Sequence, residues 1–161
     1  MMNDADATVL ERTMMGLHDQ LDRDMHAHQV ALLDRDFVRA LQCLQSYRVT
    51  IGDHMADEEG VVLPLYDSLG GDRTDAPVRL FLGEHSKMRD FLADFATRVA
   101  ALERSPDDHA LLELLDRQAT YKNLMLHHDL RERRGLYPFL SERVPAARQR
   151  ELVAALRVRI G

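Results

Sequence analysis

Residues 47–64, YRVTIGDHMADEEGVVLP, and residues 121–138, YKNLMLHHDLRERRGLYP, share one layout. In each, a tyrosine (Tyr47, Tyr121) stands seven residues before a histidine (His54, His128). A glutamate (Glu58, Glu132) follows that histidine by four residues, and a proline (Pro64, Pro138) by ten. Steps of seven and four are about two turns and one turn of an α-helix. Tyrosine, histidine and glutamate therefore line one helical face in each copy. An imidazole stacked on a carboxylate is half of a metal site, and here it occurs twice.

The rest of the chain is periodic in the same way. Leu10, Met14, Leu17, Leu21, Met25, His28 and Leu32 form one apolar stripe from about Thr8 to Leu33, and His18 and His26 fall off it toward water. Asp34-Arg35-Asp36 breaks the pattern and offers an aspartate cap. A second helix runs from about Phe37 to near Leu69, its stripe continuing past Glu58 through Val61 and Leu65. Pro64 should kink it or limit its last turns. Gly70-Gly71-Asp72 is a loop. A third helix after Pro77 carries Phe81, His85, Met88, Leu92, Phe95 and Val99. Ser105 is expected to cap a fourth helix, with Pro106 in its first turn, and Leu114, Gln118, Tyr121, Met125, His128 and Glu132 on one face. Val144-Pro145 opens a short last helix whose Leu152, Leu156 and Ile160 can pack across the bundle or pair two subunits.

No segment alternates with period two. The expected fold is all-α, an antiparallel up-down four-helix bundle of about residues 8–140 with an added C-terminal helix at about 145–160, all in one domain over 1–161. A net charge of −6 argues against nucleic acid as the main partner. The basic cluster Arg131, Arg133 and Arg134 reads as a solvated face near a helix end. No apolar run approaches the ~18 residues of a membrane span. Cys43 is the only cysteine, so no intrachain disulfide can form and a reducing cytoplasm is the expected setting. No glycine-rich phosphate loop and no nucleophile elbow occurs.

Each long helix thus has one histidine on its buried stripe: His28, His54, His85 and His128. One such histidine is ordinarily a satisfied core residue. Two glutamates beside them change the balance, because an unpaired buried carboxylate costs several kcal/mol and a domain is stable by only about 5–15 kcal/mol. No lysine or arginine on the stripes compensates them, and a bound cation does. Imidazole and carboxylate without thiolate suit iron, manganese or zinc better than calcium or magnesium.

These residues resemble the hemerythrin-like proteins with the HHE cation-binding domain, over roughly residues 10–140. The likeness rests on His28, His54-x-x-x-Glu58, the Glu84-His85 pair and His128-x-x-x-Glu132. It implies two non-haem iron ions, with manganese or zinc as alternatives. His28 and His54 would bind one ion, His85 and His128 the other, and Glu58 and Glu132 would bridge them. It also implies dioxygen or peroxide as the small ligand, for oxygen or redox sensing or storage. A diiron enzyme acting on peroxide or nitric oxide, and an iron-handling or structural helical module, are the alternatives. The final helix permits a homodimer.

This chain departs from the oxygen-carrying hemerythrins, whose third helix supplies two histidines four residues apart. Here Phe81 and Arg89 flank His85 at that spacing. The last carboxylate there is an aspartate five residues after its histidine, whereas Glu132 is four after His128. Glu59, Glu84, His127, Tyr47, Tyr121 or water are the candidates to replace the missing imidazole, and the two tyrosines suit hydrogen bonding to the site.

Overall fold

A computed structural model describes residues 9–158. Helices are α1 (Val9–Leu33), α2 (Phe37–Asp57), α3 (Leu63–Ser68), α4 (Val78–Arg104), α5 (Asp108–Arg131), α6 (Tyr137–Arg143) and α7 (Ala146–Ala155). No strand occurs among the described residues. The protein is an all-helical bundle in which α1 packs on α2, α2 on α4 and α4 on α5. Hydrogen bonds from Gln29 to Gln118 and from His18 to Asp129 tie α5 back to α1. No helix among the described residues is long and apolar enough to cross a membrane.

The expected caps are partly moved. Asp36 does cap α2, accepting the Arg39 N–H at 3.0 Å. The fourth long helix, however, starts at Asp108, and its cap is Asp107, which accepts the Ala110 N–H at 2.7 Å. Ser105 instead closes α4. Both residues are good caps, and the one nearer the first helical turn takes the orphan N–H groups. The link into α4 bends at Gly70, whose φ of 91° is open to glycine at little cost.

Both repeats leave the α-helical register at the same point. α2 and α3 are joined by a π-helical turn, Glu58–Val62, and α5 and α6 by another, Glu132–Leu136. Pro64 and Pro138 lie just beyond them, where a missing N–H and a bulky ring disfavour regular α pairing. The extra residue in each turn shifts the buried face by one. The stripe expected to continue through Val61 and Leu65 continues through Val62 and Tyr66. Such turns collect at functional sites because they re-aim side chains.

The apolar core comes in two clusters. One holds Leu17, Met55, Met88 and Tyr121; the other holds Met14, Val62, Phe81 and Leu136. On every long helix the boundary between them falls at the polar residues: His18 on α1, His54 and Glu58 on the α2 line, His85 on α4, His128 and Glu132 on the α5 line. A polar layer is thus sandwiched between two dry ones.

The C-terminal helix packs on the bundle. α7 lies against α1, with Leu152 and Leu156 buried and Gln149 Oε1 accepting the Leu10 N–H at 3.4 Å. Its apolar face is therefore covered within the chain; Ile160 lies outside the described residues. Buried Asp57 holds the end of this segment, its carboxylate accepting the Arg157 N–H at 2.8 Å and the Val158 N–H at 3.0 Å. Hydrogen bonds to a charged acceptor are worth about 1.5–3 kcal/mol each. Asp57→Ala is expected to cost about 2 kcal/mol, which lowers Tm by about 4–8 °C. Hydrogen exchange at the Arg157 and Val158 amides, accelerated in the variant, reports the released tail.

Candidate metal centre

Five of the six residues expected to meet do so, and the sixth is replaced. His54, Glu58, His85, His128 and Glu132 are each at most 3% exposed and face one another. His85 Nε2 lies 3.1 Å from Glu58 Oε2, and His128 Nε2 lies 2.8 Å from Glu132 Oε1. His54 Nε2 is 3.5 Å from Glu58 Oε1. The contribution from α1 is His18, not His28. His18 Nε2 sits 3.0 Å from Glu132 Oε2 and 3.1 Å from His54 Nε2.

His28 has a different task. Its Nδ1–H donates to the Ala40 carbonyl at 2.7 Å, and its Nε2 accepts from the Gln118 amide at 2.8 Å. Burial lowers its pKa, in keeping with a neutral ring. Both ring nitrogens are used, and ten residues of helix put it about 15 Å along α1 from His18. It is a satisfied core histidine. His26 is exposed, as expected, but His18 is buried.

Three of the four converging imidazoles are held from behind by the same device. His85 Nδ1 meets Glu59 at 2.9 Å, and Glu59 meets Arg89 at 2.8 Å. His128 Nδ1 meets Glu84 at 2.8 Å, and Glu84 meets Arg131 at 2.8 Å. His18 Nδ1 meets Asp129, and Asp129 meets Arg133 at 2.7 Å. Burial raises the pKa of each carboxylate, but the hydrogen bonds from its histidine and arginine outweigh that and hold it low. An ionised carboxylate on Nδ1–H leaves the Nε2 lone pair for the centre and makes it more basic. Glu59 and Glu84 are thus supports on the outer nitrogens rather than replacement donors. Two of the arginines read as a solvated face, Arg131 and Arg133, are the far ends of these relays. Glu84→Gln is expected to weaken metal affinity by about 10–100-fold with little change in helicity, as measured by competition with a chromophoric chelator.

The remaining candidates fall elsewhere. His127 is exposed. Tyr47 and Tyr121 bond to each other, oxygen to oxygen at 2.7 Å, and not to the cluster. The tyrosine that does reach it is Tyr137, whose hydroxyl donates to Glu58 Oε1 at 2.5 Å. Tyr137 follows Glu132 by five residues, the step of a π turn, so an α-helical reading of the sequence turns it away. Phe81 fills the place four before His85, its ring centroid 6.0 Å from that of His128.

The donor set fits a cation. Among the described residues, His54 Nδ1, Glu58 Oε2, His85 Nε2 and both Glu132 oxygens are buried without a hydrogen-bond partner. His85 Nε2 and Glu58 Oε2 lie 3.1 Å apart, and His128 Nε2 and Glu132 Oε1 2.8 Å apart, yet neither pair is aligned for an N–H···O bond. Lone pairs that approach without bonding share a common target. Donor atoms of Glu58, His85, His128 and Glu132 all lie within 4.8 Å of one another, as do those of His18, His54 and Glu132. Glu132 belongs to both groups.

Without metal, protons take that place. Burial lowers the pKa of His18 and of His128, but the carboxylate of Glu132 outweighs it, with help from Asp129 or Glu84 and from Glu58, and both rise to about 10. Burial raises that of Glu132, yet His128 and His18 bring it well below its ordinary value. The stability from the raised histidines is full below their unfolded value of 6.5 and fades as pH climbs toward 10. That from Glu132 is full above its unfolded value of 4.5 and fades as pH falls. Burial lowers His28 and His54, whose contribution fades as pH falls below 6.5, so metal-free protein should melt highest near pH 6.5. Metal loading at pH 7 should expel the protons of His18 and His128, which an indicator dye in weak buffer reads directly.

The family model of the hemerythrin HHE cation-binding domain matches residues 9–140. The chain belongs to this family. The match takes in every residue of the polar layer, from His18 to Tyr137, so this hemerythrin-like protein carries its buried histidine–glutamate cluster inside the family's own domain. No curated protein and no solved structure matches the chain.

Proposed function

We propose that this hemerythrin-like protein is an antiparallel up-down four-helix bundle holding two non-haem iron ions and binding dioxygen or a related small oxidant, for sensing or storage. His18 and His54 would hold one ion and His85 and His128 the other, with Glu58 and Glu132 as the carboxylate donors. The observation that carries this reading is two overlapping groups of buried donors, Glu58, His85, His128 and Glu132 in one and His18, His54 and Glu132 in the other, with atoms of Glu58, His85 and Glu132 left without hydrogen-bond partners. Imidazole and carboxylate donors suit iron, with manganese or zinc as weaker alternatives. Bound there, iron would supply a Lewis-acidic, redox-active centre suited to dioxygen or peroxide.

The chain's own residues set the terms. Glu58 and Glu132 balance positive charge in a dry layer, where each ion pair is strong. The three outer carboxylates hold imidazoles in place. Tyr137 fixes Glu58 through its hydroxyl, and burial beside that carboxylate raises its pKa so that it keeps its proton. Phe81 and Met14 belong to the apolar cluster on one side of the layer and exclude water there, and Met88 belongs to the cluster on the other.

A second reading, turnover of peroxide, is favoured by Phe81, which replaces an imidazole with a ring that offers no donor. The two separate in one experiment. Ferrous protein prepared without oxygen and then exposed to air should give a coloured adduct that bleaches when oxygen is removed. Irreversible bleaching with steady consumption of added hydrogen peroxide would favour the enzyme. No ligand-to-metal absorption and no turnover, with iron bound, would sink both.

A further inference from the structure

Between α1 and α5 runs a cleft of about 850 Å³. Small-molecule sites commonly span about 300–1,000 Å³. One end is walled by His18, His54 and His128, so the cleft abuts the polar layer. Its sides are Leu21, Ile51 and four methionines, Met25, Met55, Met88 and Met125. Thioether side chains reshape easily around an apolar guest.

Two polar groups along this wall are unmatched. Tyr47 and Tyr121, 2% and 1% exposed, line the cleft and have each other as hydrogen-bond partners. Two facing hydroxyls share one hydrogen, so the second has no acceptor among the described residues. Two helical turns on, about 10.5 Å, lies His54 Nδ1, the one converging imidazole with no carboxylate behind it, buried and without a partner. A buried donor left without an acceptor costs about 1–3 kcal/mol. The tyrosine pair calls for an acceptor atom on an otherwise apolar molecule. The rim disfavours an anion: Asp22 and Asp129 border it, and the Lys122 amine there already reaches Gln29.

We propose that the cleft binds a small, neutral, apolar molecule bearing a carbonyl oxygen, such as a ketone, aldehyde or quinone. The oxygen accepts the spare hydrogen of the Tyr47–Tyr121 pair, and the apolar body lies among the methionines beside the polar layer. The site is a property of the polypeptide and does not depend on the metal reading.

The test uses the full chain, as purified and again after chelator treatment, with its methionine methyls labelled with carbon-13. Acetophenone is the probe and ethylbenzene, nearly the same shape without the oxygen, its control. Acetophenone should shift the Met25, Met55, Met88 and Met125 methyls saturably and leave Met14, in the opposite apolar cluster, unmoved. Ala119→Trp, at an exposed position lining the cleft, should weaken binding at least tenfold. The double change Tyr47→Phe with Tyr121→Phe should weaken acetophenone about fivefold, the share of one neutral hydrogen bond, and leave ethylbenzene unchanged. Shifts that do not saturate, meaning a cleft that holds water only, would overturn the proposal. So would equal affinity for both probes, or binding insensitive to Ala119→Trp. Binding of acetophenone by chain that takes up no iron would support the cleft and count against the metal centre alone.

Discussion

Glu132→Ala is expected to abolish metal uptake at both halves of the centre. Its two oxygens face different histidines, Oε1 toward His128 and Oε2 toward His18, so one substitution removes a donor from each group. The loss in affinity should exceed the roughly 10–100-fold typical of an outer partner. The metal-free protein should suffer as well. Removing one partner of a buried pair costs about 3–5 kcal/mol, and a protein of this size loses about 2–4 °C of Tm per kcal/mol, which gives about 6–20 °C. Glu132→Gln keeps the volume and should recover part of that Tm but not the metal. A variant that bound metal like the parent would show that the shared carboxylate is not a ligand.

His18→Ala and His28→Ala should behave in opposite ways. The first removes a donor at the centre, and bound metal should fall from two ions per chain toward one, with only a modest change in the metal-free melting temperature. The second removes no donor at the centre. It strands the buried Gln118 amide, at about 1–3 kcal/mol, and removes the bond to the Ala40 carbonyl. Metal content should stay at two while Tm falls by several degrees. Elemental analysis and a thermal melt on the two variants separate the roles. Metal loss in His28→Ala with none in His18→Ala would reverse the assignment made from the geometry.

That pair also marks where the sequence could be read and where it could not. The stripe through Leu17 and Leu21 leads straight to His28. Yet His18 is four residues after Met14 and three before Leu21, so it borders the same stripe. An apolar face wider than 100° takes in both, and periodicity alone cannot choose. Chain length can. His54 stands 18 residues beyond Asp36, His18 stands 16 before Asp34, and His28 only 6. Two helices joined by a short turn meet at matching distances from it, so the partner level for His54 is His18.

The identical layout of the two repeats made His54, Glu58, His128 and Glu132 plain, because a four-residue step keeps two side chains on one helical face. Phe81 and His85 sit on a regular stretch of α4, and their faces followed directly. Tyr137 and the shift from Leu65 to Tyr66 were hidden by the π turns, which insert a residue that no α-helical period contains. The relays of Glu59, Glu84 and Asp129 were hidden for another reason. Each joins two helices distant in sequence, and only packing shows which imidazole a half-exposed carboxylate will meet.

The most direct measurement is an anaerobic titration of chelator-treated protein with ferrous iron, with bound metal counted by elemental analysis. Saturation at two ions per chain, with proton release and a Tm raised by about 16–32 °C at a thousandfold excess over the Kd of each site, is the expected result. A chain that keeps its helicity but takes up neither ferrous, manganous nor zinc ions would contradict it.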